Sequence, residues 1–308
     1  MSTKSIAKFF EYNGAKVPSI GLGTAFMTSD ISEVVYSSIK DGTRLIDTAA
    51  VYGSEQGVGK AIKKAISEGI VKREDLFVTT KLSIFEVTEP EKAIKKSLGI
   101  LGLDYVDLYL IHWPKFFSYD KEGKKTNIMP MHKVWPEMEK LVEKGLTKYI
   151  GVSNYNVQSL LNLLSFCKIK PLVNEIEFHP YLYQKKLGEF CRREDIILCG
   201  YNPLVKGCYS AESADEKHRD LLGEKLIIDL SKKYKKTVGQ IVLNWSVARE
   251  VIPIPMTSNP HRMIENLGST DFVMDKEDLE KIDNLNRNQR YGLSYIWDIY
   301  DKEIDVFA

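Results

Sequence analysis

Four titratable side chains stand at or just beyond the ends of three successive apolar runs. Asp47 closes the run from Arg44, with Tyr52 in the loop that follows, Lys81 closes the run from Leu76, and His112 closes the run from Val106. Each residue alone has a plain structural reading, as a cap, a packed ring, a solvated lysine or a satisfied core histidine. Together they fit proton donation to a carbonyl oxygen. A phenol is a weak acid at neutral pH, with an ordinary pKa of about 10, and an ammonium beside it stabilises the phenolate. Lys81 is placed to supply that charge, Asp47 to hold Lys81 in position, and His112 to orient the carbonyl. No activated nucleophile accompanies the set, so the partner missing for carbonyl chemistry is a hydride donor.

Such a set needs a scaffold that brings several strand ends to one mouth. Eight β-rich runs are legible: Ser19–Gly23, Arg44–Asp47, Leu76–Lys81, Val106–His112, Tyr149–Ser153, Leu172–Glu177, Ile197–Tyr201 and Val251–Pro255. Helical patterns lie between them, with apolar residues three and four apart, as at Val58, Ile62 and Ile66. Gly42, Gly69 and Gly145 follow such patterns, and Pro90 and Pro260 stand near helix starts. The alternation predicts a (β/α)₈ TIM barrel, whose active site lies at the C-terminal ends of the strands. The rival is a doubly wound open sheet, but "GLGTAF" after the first run is no G-x-G-x-x-G turn. Asn13-Gly14 predicts an N-terminal β-hairpin ahead of the barrel. The stretch 116–131 reads as a long polar loop, and the aromatic tail after Asn286 as a C-terminal loop over the active site. Nothing marks an internal boundary, so residues 1–308 are expected to form one domain.

Composition removes several other functions. Forty-three basic and 42 acidic residues leave a net charge of +1, which argues against nucleic-acid or membrane-surface partners. No run approaches the roughly 20 apolar residues of a spanning helix. The first 20 residues are broken by Lys4, Lys8, Glu11 and Lys16, unlike a signal peptide. Cys167, Cys191, Cys199 and Cys208 form no CxxC pair, and the five histidines offer no H-x-H or H-E-x-x-H spacing, so no metal site is expected. A cytoplasmic protein acting on a small molecule is the expectation.

The stretches "LIDTAAVYGSEQGVGKAI", "LFVTTKL", "LGLDYVDLYLIHWP", "GLTKYIGVSNYN", "VNEIEFHPYL", "GYNPL" and "VIPIPMTSNPHRMIEN" follow one another in an order and spacing that resemble the aldo-keto reductase superfamily over nearly the whole chain. The resemblance implies an NAD(P)H-dependent reductase of aldehydes and ketones, aldoses included, with a nicotinamide dinucleotide bound without a Rossmann domain. It implies a catalytic set of Tyr52 as proton donor with Asp47, Lys81 and His112, and a substrate site that adds Trp113. For the cofactor it implies Thr24 and Asp47 near the nicotinamide ribose, and Ser153, Asn154 and Glu175 at the carboxamide. Tyr201 would stack on the ring, with Asn202 and Leu204 in the pyrophosphate segment and Met256, Thr257, Arg262, Glu265 and Asn266 at the adenosine end. A monomer is the family default.

This sequence departs from the family pattern in three places. Glu175 stands where a Gln is usual, and a carboxylate cannot donate to the carboxamide oxygen unless protonated. Met256 replaces a lysine that pairs with the 2′-phosphate of NADP, so NADP(H) is expected with reduced discrimination against NAD(H). Ala25 replaces a Trp, leaving a wider pocket or one refilled by Phe26 or Phe116. The alternative function is a catalytically weak, cofactor-binding regulatory subunit of the same fold; a metal-dependent barrel hydrolase lacks ligand spacing.

Overall fold

The computed structural model describes residues 9–12, 14–114, 117–119, 125–205 and 220–292. A two-stranded antiparallel hairpin, β1 (Phe9–Tyr12) and β2 (Ala15–Pro18), precedes the main sheet as expected, with Gly14 at φ +79° in its turn. Asn13, Phe116, Cys208 and the tail beyond 292 lie outside the described residues.

Eight parallel strands follow in chain order around the sheet. They are β3 (Leu22–Gly23), β4 (Leu45–Asp47), β5 (Phe77–Leu82), β6 (Val106–Ile111), β9 (Thr147–Ser153), β10 (Val173–Glu177), β11 (Ile197–Tyr201) and β12 (Val251–Pro253). All eight anticipated runs are strands: β11 has the anticipated bounds, β9 begins two residues earlier, β5 is shifted by one residue, and the other five are shorter than anticipated. Helices α1 (Ile31–Lys40), α2 (Glu55–Ser67), α3 (Pro90–Leu101), α4 (Met131–Glu143), α5 (Val157–Leu164) and α6 (Lys185–Arg193) connect them, followed by α7 (Lys225–Tyr234), α8 (Val238–Ala248) and α9 (Pro260–Leu267). Proline opens α3 and α9, where a missing N–H costs nothing.

The ring closes between the first and last strands through backbone bonds from Gly21 N to Pro253 O (3.0 Å) and from Gly23 N to Pro255 O (3.1 Å). The seam is one-sided because a parallel ladder also needs N–H donors from the other strand, and Pro253 and Pro255 have none. Gly23 suits the close approach: a Cβ there would stand 3.0 Å from the Ile254 carbonyl oxygen, a tight contact with backbone.

Strand parity divides the two faces. Ile46, Val78, Tyr109, Ile111, Ile176 and Leu198 face outward and pack in the main cluster with the helices. Leu45, Phe77, Leu108, Leu110, Val173, Ile197, Cys199, Ile252 and Ile254 fill the barrel interior, floored by Ala15 and Val17 of the hairpin. Side chains alternate along a strand, so each interior series continues in steps of two toward the C-terminal end. It turns polar there: Leu45 to Asp47, Phe77 to Lys81, Leu108 to His112, and Val173 to Glu175 and Glu177. The register that buries the core therefore also aims the candidate site inward.

Two expectations need correction. The stretch 116–131 is not simply a loop, since it contains the antiparallel pair β7 (Phe117–Tyr119) and β8 (Lys125–Ile128) and ends at the start of α4. A tenth helix, α10 (Lys276–Asp283), was not anticipated; it follows Asp275 and buries Leu279 and Ile282 at a three-residue spacing. Among the described residues, no helix is long and apolar enough to cross a membrane and no cluster of metal-ligating side chains occurs.

Candidate active site

Asp47, Lys81, Tyr52 and His112 meet at the C-terminal mouth. Asp47 reaches it directly from β4, while Tyr52 arrives on a single 3₁₀ turn (Ala50–Tyr52) ended by Gly53 at φ +70°. Lys81, fully buried, donates to Asp47 Oδ1 at 2.6 Å, to the Thr48 carbonyl at 3.2 Å and to the Tyr52 hydroxyl at 3.3 Å. The same hydroxyl lies 3.4 Å from His112 Nε2, with the rings edge to face. The Trp113 ring lies nearly parallel to the imidazole, with centroids 6.2 Å apart.

The electrostatics differ from the sequence expectation. Burial raises the Tyr52 phenol above its ordinary range; Lys81 pulls it down, but the charges of Asp47 and Glu175 push upward, and the net shift is up. Tyr52 is thus held fully protonated, ready to give its proton to a much more basic alkoxide. Burial works against the Lys81 charge, but Asp47 and then Glu175 more than offset it and hold Lys81 well above the usual range. Burial, reinforced by Lys81, drives His112 far down, so its ring is neutral.

Glu175, on β10 beside Ser153 and Cys199, is the unforeseen member of this group. Its Oε1 lies 3.3 Å from Lys81 Nζ, making it a second buried carboxylate on one ammonium. Burial first, then the charge of Asp47, pushes its carboxyl up to about 8. An unfolded Glu titrates near about 4.3. The stabilisation this carboxyl contributes is therefore fully present below that value and is lost as pH rises toward about 8. Glu175→Gln is expected to flatten this pH dependence and to be more stable than the wild type at pH 8 and above. Denaturant midpoints measured across that range check it, and parallel curves for the two proteins would contradict it.

The neighbouring polar groups are locked by one another. Asn154, at φ +65°, donates through Nδ2 to the His112 carbonyl (3.1 Å) and Ser153 Oγ (3.0 Å), and its Oδ1 accepts from the Tyr201 hydroxyl (2.8 Å). Ser153 Oγ donates to the Glu175 carbonyl at 2.9 Å. Free acceptor lone pairs are what remain to face a ligand.

A cavity of about 600 Å³ runs from these strand ends to the start of α9. Asp47, Tyr52, His112, Trp113, Ser153, Asn154, Glu175, Tyr201, Asn202, Leu204, Met256, Thr257, Arg262, Glu265 and Asn266 all line it, and so do Ala25 and Phe26. Thr24 does not: its hydroxyl donates to the Asp47 carbonyl (2.9 Å) and pairs with Ser54 Oγ (2.9 Å), behind the wall formed by Gly23 and Ala25. The cavity also takes in the N-terminus of α8 at Thr237–Gly239 and the cap of α9 at Asn259. The cap was legible in "SNPHR", whose Asn precedes Pro and a helical pattern.

Glu177, which the sequence does not single out, shares the inward face of β10 with Glu175. Its oxygens accept from the backbone N–H groups of Tyr291 (3.0 Å) and Gly292 (3.1 Å), from Asn202 Nδ2 (3.1 Å), and pair with His179 (3.1 Å). Burial would raise this carboxyl, but His179 and these donors win and hold it down. The chain leading into the C-terminal tail is thereby tied to the same segment as Asn202.

A barrel of eight strands with this mouth and cavity defines a protein that handles a small molecule at its strand ends. The chain belongs to the aldo/keto reductase family, whose model matches residues 19–287. It is 41% identical over 292 residues to aldose reductase B of Dictyostelium discoideum, covering 89% of this chain and 90% of that protein. It is 37% identical to the NADH-dependent D-xylose reductase of Candida parapsilosis along the whole of both chains. The crystal structure of Bombyx mori aldo-keto reductase in complex with NADP superposes with a TM-score of 0.86 at 35% identity, over 96% of this chain and 98% of that one.

Proposed function

We propose that the chain is an NAD(P)H-dependent reductase of small aldehydes and ketones, aldoses among them, with Tyr52 as its proton donor. The observation that carries the reading is the buried contact of Lys81 with both Asp47 and Tyr52, beside a neutral His112, at one end of a cavity of about 600 Å³ that extends to the start of α9. The cavity chemistry fits that cofactor. Its far end offers the exposed Arg262 and the N-terminus of α9, both suited to phosphate. Its near end offers Tyr201 as a flat ring wall and the acceptors of Ser153 and Asn154. The nicotinamide, when bound, supplies a hydride to the carbonyl carbon.

The protein does the rest. A carbonyl oxygen seated between Tyr52 and His112 receives a hydrogen bond from each, His112 donating through Nε2 in its neutral form, which fixes its distance from the acid. As negative charge grows on that oxygen, the Tyr52 proton moves to it, and the phenolate left behind is held by Lys81, whose charge is maintained by Asp47. Trp113 packs against the imidazole and, with Phe26, adds aromatic surface to the cavity wall. An intact acid and its support favour catalysis over a regulatory role. The free thiols of Cys167, Cys191 and Cys199 suit a reducing cytoplasm, and a one-domain monomer is the form we expect to act.

Met256 sets the cofactor choice. Losing one charge-assisted contact to a 2′-phosphate costs on the order of 1.5–3 kcal/mol, roughly a ten- to hundredfold loss of NADP affinity. Met256→Lys is expected to raise the kcat/KM ratio of NADPH over NADH by about that factor, and an unchanged ratio would place the phosphate elsewhere. A panel of aldoses, aromatic aldehydes and ketones, followed by absorbance loss of NADPH and NADH in parallel, tests the function itself. Turnover with neither cofactor on any carbonyl, despite nucleotide binding, would move the protein to the regulatory reading.

A further inference from the structure

We infer that Glu175 is a charge-matching residue for the oxidised cofactor: neutral while the pocket is empty or holds the reduced nicotinamide, and ionised when the oxidised, cationic ring binds. This rests on the nucleotide site proposed above. Two carboxyl groups, Asp47 and Glu175, share one ammonium in a fully buried place, at 2.6 and 3.3 Å from Lys81 Nζ. One positive charge balances one carboxylate. A second ionised carboxylate would leave a net negative charge with little access to solvent, which is costly. The proton therefore resides on one of the pair, and the more distant carboxyl, Glu175, carries it and hydrogen-bonds Asp47.

Among the described residues, the groups facing Glu175 offer no second cation. From β4 comes Asp47, from β5 Lys81, from the 3₁₀ turn Tyr52, and from β11 the buried, uncharged thiol of Cys199. His112 on β6 is neutral, and Glu177, two residues along β10, is held by its own donors. A cation arriving in the cavity that Glu175 lines would complete the balance. A dihydronicotinamide is neutral and a nicotinamide cation carries one positive charge. With the first, Glu175 keeps its proton in the hydrogen bond to Asp47. With the second, its O–H bond breaks, the electron pair stays on the carboxylate, and the proton passes to buffer.

The test is the proton count of nucleotide binding, taken from calorimetric titrations in two buffers of different ionisation enthalpy. Wild-type protein at pH 7 is expected to release about one proton more on binding NADP⁺ than on binding NADPH; the 2′-phosphate, common to both, cancels. The NADP⁺ Kd is expected to tighten relative to that of NADPH by up to about tenfold per pH unit as pH rises toward the free carboxyl's range. Glu175→Gln is expected to abolish both differences. Equal proton counts for the two nucleotides in the wild type overturn the inference, whatever the variant does. Absence of binding by either nucleotide removes the proposed function and this inference with it.

Discussion

Tyr52→Phe is expected to remove carbonyl reduction while leaving the nucleotide bound. The substitution deletes one oxygen from a ring whose position is set by the 3₁₀ turn and by contact with His112, so fold and cavity persist. General acid catalysis by a positioned side chain is worth about 10²–10⁴-fold. The loss here should lie at or above the upper end, because among the described residues neither other neighbour of the Tyr52 hydroxyl replaces it: His112 is a neutral imidazole, and Lys81 is turned to Tyr52, Asp47 and Glu175. Pre-steady-state measurement of NADPH oxidation separates the step from binding. A variant that oxidised NADPH at even a tenth of the wild-type rate would assign the proton to another group.

Lys81→Met is expected to damage both stability and rate. Breaking a buried ion pair by removing one partner typically costs about 3–5 kcal/mol, because the remaining charge is left uncompensated. Here two carboxyls are left, on β4 and β10, and they respond by taking up protons. The expected signature is a large drop in denaturant midpoint at pH 8 that shrinks toward pH 5, where protonation relieves the unpaired carboxylates. Activity does not recover with stability at low pH, because the Tyr52 phenolate has lost the cation that held it. Equal destabilisation at both pH values would show that Lys81 contributes packing rather than charge.

The strands and the catalytic group were legible because both follow from one period of two. Interior residues that are apolar low in the barrel and polar at its mouth can be read from alternation alone once the number of strands is known. The seam at Pro253 and Pro255, the pair β7 and β8, and helix α10 were not legible in the same way. A polar 116–131 stretch carries no alternation that tells a hairpin from a loop, and eight residues of α10 offer only two apolar anchors. Within the site, the sequence identified Glu175 as a departure but assigned it to the cofactor alone. Its second role depends on β10 and β5 facing each other across the barrel, a distance that spacing along the chain does not carry. The balance at Tyr52 was likewise a three-dimensional quantity: Lys81 was correctly placed as its neighbour, but burial and two carboxylates outweigh it. The family resemblance implies Thr24 near the nicotinamide ribose, whereas its hydroxyl turns back to Ser54 and the Asp47 carbonyl.

The most direct test of the central claim is hydrogen transfer itself. The wild-type protein would be given an aldehyde or aldose that it turns over and NADPH deuterated at C4 of the nicotinamide, in separate reactions for the two faces, and the alcohol analysed by mass spectrometry. One of the two labelled nucleotides is expected to place a single deuterium on the former carbonyl carbon, with the hydroxyl proton coming from solvent through Tyr52. An alcohol free of deuterium from both, or nucleotide oxidation without any alcohol, would contradict a reductase built on this site.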